Sequence, residues 1–564
     1  MNERWINMAK RLLSKKKLAK CRLLIILLIT IAVITYADST NPINKVADEI
    51  RAEAIRANNS EVGRPLPLAT HWDSGYDSFI RGEDGITPEF QISLLESGHR
   101  ILPWFAWPHE RYFNDYFSYA YKKIRDLNLP FSLNGTQWEQ NLYREAKYRD
   151  LPVEQNPNVV ELKGDILPKV SPLGAVEPWY EVGEDWLKTK EMRTLQEWYP
   201  NPPRIIFLSN NEASKLRWVE LEVQSKKYVD EYGLDQDDNF KRKLVGEGWI
   251  ERYRKMQDGM RDSLMNQDWK NAVRFVGYGG VGPDFIGRWG GWQDWSLMSI
   301  DAEVFRISPD PLMWDGGSPS YYVSAYYSIT DYTVYSPQIE SMNWIPMLED
   351  AYKLNPDYWF EISVWDGHWD FPSQGSAISK RKQYENLGQT YTPARYLGYL
   401  QFGMWLLRPR SVREYRNPSD LFEGKKEYFM QVVTAVDRVY ENELLKRFWR
   451  KGELVPNRDN QHLYQSNIPE QYKDVDRWFL LETNLDPPRP WKLDTQIPVF
   501  SLALVLGEQP QREWLLYAFA PLNDINAVRV SLPGYGIQEI AATVSGAFYH
   551  LKEQTGEIIK LNLN

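Results

Sequence analysis

Apolar runs of five to eight residues recur along the first three quarters of the chain, and each ends in aromatic or polar residues. "RPLPLATHWD" ends in His71, Trp72 and Asp73. "HRILPWFAWPHE" ends in Trp104, Trp107 and His109. "LPFSLNGTQWE" ends in Asn134, Trp138 and Glu139, and "RIIFLSNNE" in Asn211 and Glu212. "AVRFVGYGG" carries Tyr278, "DPLMWDGG" carries Trp314 and Asp315, "DYWFEISVWDG" carries Glu361, Trp365 and Asp366, and "LQFGMWLLRPR" carries Trp405 and Arg408. These are eight strand candidates. Helix-period segments such as "NDYFSYAYKKIRDLN" and "DDNFKRKLVGEGWIERYRKMQDGMRDSLM" lie between several of them. Strands alternating with helices imply parallel pairing, and eight such units predict a (β/α)8 TIM barrel in an α/β fold. A doubly wound sheet is the structural rival.

The rhythm changes after Arg410. Gly424 to Arg450 reads as one long amphipathic helix. From Asp476 onward come short alternating strands separated by turn residues, the pattern of an antiparallel β-sandwich. The predicted division is a leader over 1–40, the barrel over 41–422, a helical connector over 423–470 and a β-sandwich over 471–564.

The leader is basic, then apolar from Leu23 to Tyr36, then polar. That is the layout of an export signal, or of an N-terminal membrane anchor attached through residues 23–37. The protein is therefore expected outside the cytoplasm, in the periplasm, at the cell surface or beyond. Cys21, the only cysteine, precedes the apolar run, so a Cys nucleophile or Cys-based metal site in the exported part is excluded. Removing the leader takes the formal charge from −9 to about −16. An acidic chain argues against nucleic acid as a partner.

Aromatic residues make up 14% of the chain, with 24 Trp. Such an excess suits either a large core or platforms that stack on sugar rings. Polar and aromatic residues gathered at the C-terminal ends of barrel strands mark a candidate active site. Glu212 follows strand four and Glu361 lies on strand seven, across the barrel. Two converging carboxylates are the minimal machinery for cleaving a glycosidic bond. A charge inside "YWFEISVW" otherwise needs a buried partner, such as Arg408.

Asn211-Glu212 after strand four, with Glu361 on strand seven, resembles the retaining glycoside hydrolases of clan GH-A. The likeness covers Leu66 to Arg410, and a following β-sandwich is common in that clan. It departs at Ala213, where the clan often has Pro. A more distant likeness is to agarases and porphyranases. The resemblance implies Glu212 as acid/base, Asn211 as contact to the sugar 2-hydroxyl and Glu361 as nucleophile. It implies a β-linked polysaccharide or oligosaccharide as substrate and double displacement as mechanism. His71, Trp104, Trp107, His109, Asn134, Trp138, Tyr278, Trp314, Trp365 and Arg408 are the candidate substrate contacts, each with core packing as its alternative. "WDGHWD" lacks a partner segment for a metal site, and "GYGGVG" lacks the Lys-Ser/Thr of a phosphate loop, so no metal or cofactor is expected. The rival functions are an inverting hydrolase or polysaccharide lyase on the same barrel, and a non-catalytic carbohydrate-binding surface protein. Carboxylates about 5–5.5 Å apart imply retention, and about 6.5–9.5 Å inversion.

A chain beginning at Asn41 is expected to be soluble and monodisperse by light scattering without detergent. Persistent detergent dependence would reveal a second membrane-binding surface.

Overall fold

A computed structural model describes residues 66–71, 88–110, 113, 115–210, 213–278, 310–322, 348, 351–352, 354–366, 388–414, 425–455, 499–532 and 534–563. The predicted leader lies outside these residues. Among the described residues no helix is long and apolar enough to cross a membrane.

The first strands are β1 (Leu68–His71), β2 (Trp104–Ala106), β3 (Phe131–Thr136), a short antiparallel hairpin of β4 (Asn158–Val160) and β5 (Ile166–Val170), β6 (Ile205–Asn210) and β7 (Val273–Gly277). Then come β8 (Gly316–Gly317) and β9 (Ser320–Tyr322), which together take the sixth place, β10 (Trp359–Trp365) and β11 (Ser411–Glu414). All except the hairpin pair in parallel, in the order β1-β11-β10-β8-β7-β6-β3-β2, with β9 on β10. Sequential parallel neighbours are what right-handed βα units produce. The ladder is open between β1 and β2, where one isolated parallel bridge joins Ala69 to Ile101. The sheet is thus curled like a TIM barrel.

Its stagger is measurable. Extending each ladder's register from Ala69 one way, through Ile101, leads to position 271, two residues before β7. The other way, through Val412 and Ile362, leads to position 279, eight residues on. That stagger resembles the shear of eight of a (β/α)8 barrel, although the ladder here stays open between β1 and β2. Leu68, Leu102, Trp104, Ile206, Leu208, Val276 and Trp359 fill the interior.

Three predicted elements differ. "LQFGMWLLRPR" is not a strand: it belongs to the buried helix Pro393–Leu407, and strand eight is β11. A helix apolar all round looks like a buried strand over a short window. "DPLM" is a helical turn, Asp310–Met313, so Trp314 and Asp315 lead into the sixth strand rather than ending it. The expected long helix is two, Lys425–Glu441 and Glu443–Lys451, because the Asn442 side chain caps the second by accepting from the Leu445 amide.

The C-terminal region holds antiparallel sheets. One is built from β12 (Glu453–Leu454), β13 (Phe500–Leu506), β14 (Glu513–Phe519), β17 (Ala547–Lys552) and β18 (Glu557–Lys560); β15 (Ile525–Leu532) pairs with β16 (Gly536–Ala542). This region shares a core with the barrel helices. Phe402 meets Phe500 at 5.3 Å, and Trp405 meets Phe548 at 5.4 Å and Trp449 at 5.1 Å. The Tyr517 hydroxyl donates to the Gly398 carbonyl.

Gly398 tests this seam. A Cβ there would stand 2.5 Å from both the Phe519 ring and the Val544 carbonyl. Gly398→Ala is expected to cost about 1–3 kcal/mol by overpacking, read by denaturant unfolding. Unchanged stability would mean the C-terminal sheets do not seat on this helix.

Candidate active site

Alternation along a strand decides which side chains enter the barrel. On β10, Trp359, Glu361, Ser363 and Trp365 share the inward face; on β11, Ser411 and Arg413 do. Glu361 pairs with Ser411 in register, so the carboxylate meets donors from its own strand and the next. Its Oε1 accepts from Arg413 Nε at 2.9 Å. Its Oε2 accepts from Ser411 Oγ at 2.7 Å and from Trp359 Nε1 at 3.4 Å. Arg413 also donates to Ser318 Oγ. Its guanidinium carbon lies 4.8 Å from the Trp104 ring centre and 5.1 Å from that of Tyr278. Above this pair, toward the C-terminal ends, the Tyr278 hydroxyl stands 3.4 Å from Ser363 Oγ.

The pair is fully inside. Glu361 is 2% exposed and Arg413 1%. Glu361 is the third residue of β10, four positions before Trp365 at the strand's end. Following the ladders, Asn210 at the end of β6 aligns with position 361. Each step from strand to strand also descends the barrel by one residue, so the true level of Asn210 is Val364. Glu361 thus sits three residues, about 10 Å along the strand, below the end of strand four. Glu361 is held at this depth by its ion pair, and Glu212, expected to converge with it, lies outside the described residues. The partner of Glu361 is Arg413 rather than Arg408.

Asn211 and Glu212 lie outside the described residues, as do Trp72 and the segment 367–387. The side chain of His71 is likewise outside them. His109 is exposed just after β2. Asn134 is inward-facing and nearly buried near the end of β3, and Tyr278 follows β7.

Of the tryptophans, Trp107, Trp138 and Trp314 pack in the core outside the sheet. Trp107 meets Trp138, Trp186 and Phe207 edge-on, at 5.6, 5.7 and 5.0 Å. Trp314 packs on Tyr253 at 4.9 Å, outside the sheet. Trp104 and Trp365 point into the barrel and are fully buried. Arg408 ends the helix Pro393–Leu407 in a left-handed conformation and donates to the Gly452 carbonyl, away from the strand ends. The spare acids are also engaged. Glu139 accepts from the Tyr253 hydroxyl at 2.7 Å. Asp315 binds Arg254 at 2.7 Å and Arg261 at 3.1 Å, at the N-terminal end of strand six.

Sequence reasoning missed Ser411, Arg413 and Glu414. The signal was present: "SVRE" alternates, with Val412 facing the helices. Glu414 ends β11 and accepts from the Asp366 amide at 3.2 Å and from the Tyr396 hydroxyl. Burial, with Glu414 and Asp366 beside it, pushes the Tyr396 hydroxyl well above its ordinary range. This network fixes where the chain leaves strand seven. Among the described residues, no three His, Cys, Asp or Glu side chains gather as a metal site.

No known protein family matches the sequence, and no curated protein does. Solved structures do resemble the fold. One is a noncanonic maltogenic α-amylase, AmyB, from Thermotoga neapolitana: 11% identity, TM-score 0.37, covering 88% of this chain and 98% of that one. Another is a variant of the GH36 α-galactosidase AgaA from Geobacillus stearothermophilus, at 12% and 0.37, covering 93% and 56%. A third is the α-galactosidase from Lactobacillus brevis, at 10% and 0.39, covering 93% and 55%. This chain spans about half the length of those α-galactosidases. These structural neighbours are glycoside hydrolases.

Arg413→Met is expected to cost about 3–5 kcal/mol in urea unfolding, because it strands the Glu361 carboxylate in the interior. A loss under about 1 kcal/mol would contradict the buried pair.

Proposed function

We propose that this protein is a retaining glycoside hydrolase cleaving a β-linked polysaccharide or oligosaccharide, exported by its N-terminal segment. The observation that carries the reading is the position of Asn211-Glu212 directly after the fourth of eight sequential parallel strands. Barrel active sites are built at those C-terminal ends. Glu212 gives its proton to the leaving oxygen, and Asn211 holds the 2-hydroxyl. Glu361 attacks the anomeric carbon, and Glu212 then takes a proton from the water that releases the sugar.

The contacts around Glu361 suit that role. Arg413, Ser411 and Trp359 all donate to its carboxylate, which fixes its orientation on the strand. Its depth requires Tyr278 and Ser363 to part as the sugar enters. A second reading is favoured by that same depth: Asp366 directly follows β10, nearer the rim, and is the other strand-seven carboxylate.

Azide rescue separates these readings on whichever substrate a panel of polysaccharides identifies, used with a good leaving group. Glu212→Ala is expected to yield a β-glycosyl azide, because the covalent intermediate still forms. Glu361→Ala is expected to yield the α-azide. The α-azide from Asp366→Ala instead, with Glu361→Ala failing, would transfer the nucleophile to Asp366. Wild-type hydrolysis with no rescue in any variant would mean another carboxylate pair. No product from any polysaccharide would leave a binding protein.

A further inference from the structure

The N-terminal face of the barrel, opposite the proposed active site, gathers arginines that the reaction does not use. Arg204 immediately precedes β6, Arg274 is the second residue of β7, and Arg410 immediately precedes β11. Arg204 shares the inward face of Ile206, and Arg274 that of Val276. Arg274 pairs in register with Ile206, next to the start of Arg204's strand, and Arg204 and Arg410 meet at Trp359, the first residue of β10. The guanidinium carbons of Arg204 and Arg410 each lie 5.9 Å from its ring centre.

Backbone carbonyls hold two of these side chains. Arg274 donates to the carbonyls of Asn271 at 3.0 Å and Val273 at 2.9 Å, and Arg410 donates to that of Tyr358 at 3.2 Å. Among the described residues no carboxylate forms an ion pair with Arg204 or Arg274. Arg254 and Arg261 stand nearby and take up Asp315. The other carboxylate acting on Arg204 and Arg274 is the exposed Asp357. Positive charge is thus concentrated here, in a chain whose formal charge is −9. Burial, and then the Arg274 and Arg410 charges, push Arg204 down to about 10; burial also lowers Arg274. Half-buried like charges repel, and a bound anion removes that repulsion. Guanidinium forks match the paired oxygens of an oxyanion, which a chloride ion or a neutral sugar does not offer.

We propose that Arg204 and Arg274, with Arg410 beside them, form a binding site for a free tetrahedral oxyanion, phosphate or sulfate, on the N-terminal face of the barrel. The test is calorimetric titration of the full chain with potassium phosphate and with potassium sulfate, at an ionic strength held constant with potassium chloride. Saturable binding tighter than about 1 mM is expected, weakened at least tenfold in Arg204→Gln and in Arg274→Gln. Arg204→Lys keeps the charge, loses the fork and is expected to weaken binding too. Arg193→Gln, in an exposed arginine of the helix Lys190–Trp198, is expected to bind as the wild type does. Absence of saturable heat in the wild type, or equal titration curves in the folded Arg204 and Arg274 variants, would overturn the site. Neither outcome bears on glycoside hydrolysis, which the proposal does not use.

Discussion

Eight parallel strands can meet edge to edge only if each steps along its neighbour by a fixed amount. Here the steps accumulate to eight residues around the sheet. That stagger fixes which residue of each strand faces inward and at what depth. It sends Leu102, Ile206 and Trp359 to the bottom of the interior and Asn134, Tyr278 and Ser363 toward the top. It also decides the fate of Glu361, the carboxylate within strand seven. Glu361 points inward by alternation, but at the level of the core rather than of the mouth.

A charge at that depth persists only with a partner. Arg413 supplies it from the next strand, and Ser411 and Trp359 satisfy the remaining oxygen. The Trp104 and Tyr278 rings cover the guanidinium. The interior is therefore polar in its middle, with Leu68, Leu102, Ile206 and Trp359 packed around and below it. Arg413 is ion-paired inside, and Arg204 and Arg410 stand against Trp359 at the other end.

The strands were legible because alternation and apolar runs have a period that sequence displays. β1, β3, β6, β7 and β10 stand where the runs of residues put them. Strand eight was misplaced because the helix Pro393–Leu407 is buried on every side and so shows no polar stripe to reveal its turn. Trp107, Trp138 and Trp314 looked like sugar platforms because a strand's end and its flank read alike in one dimension. Three-dimensional neighbours decide between them, and Trp186, Phe207 and Tyr253 are far away in sequence. Arg408, the example of a buried partner for Glu361, ends a helix instead, and pairing across neighbouring strands chose Arg413. Depth is the property that sequence carried least, since it depends on a stagger summed over every strand.

The central claim is retaining hydrolysis at the C-terminal end of this barrel. It is tested most directly by proton NMR of the first sugar released by the wild-type protein from a β-linked polysaccharide, recorded before mutarotation. The account predicts the β-anomer at early times, relaxing afterwards to the equilibrium mixture. An α-anomer formed first would contradict it and make the enzyme inverting.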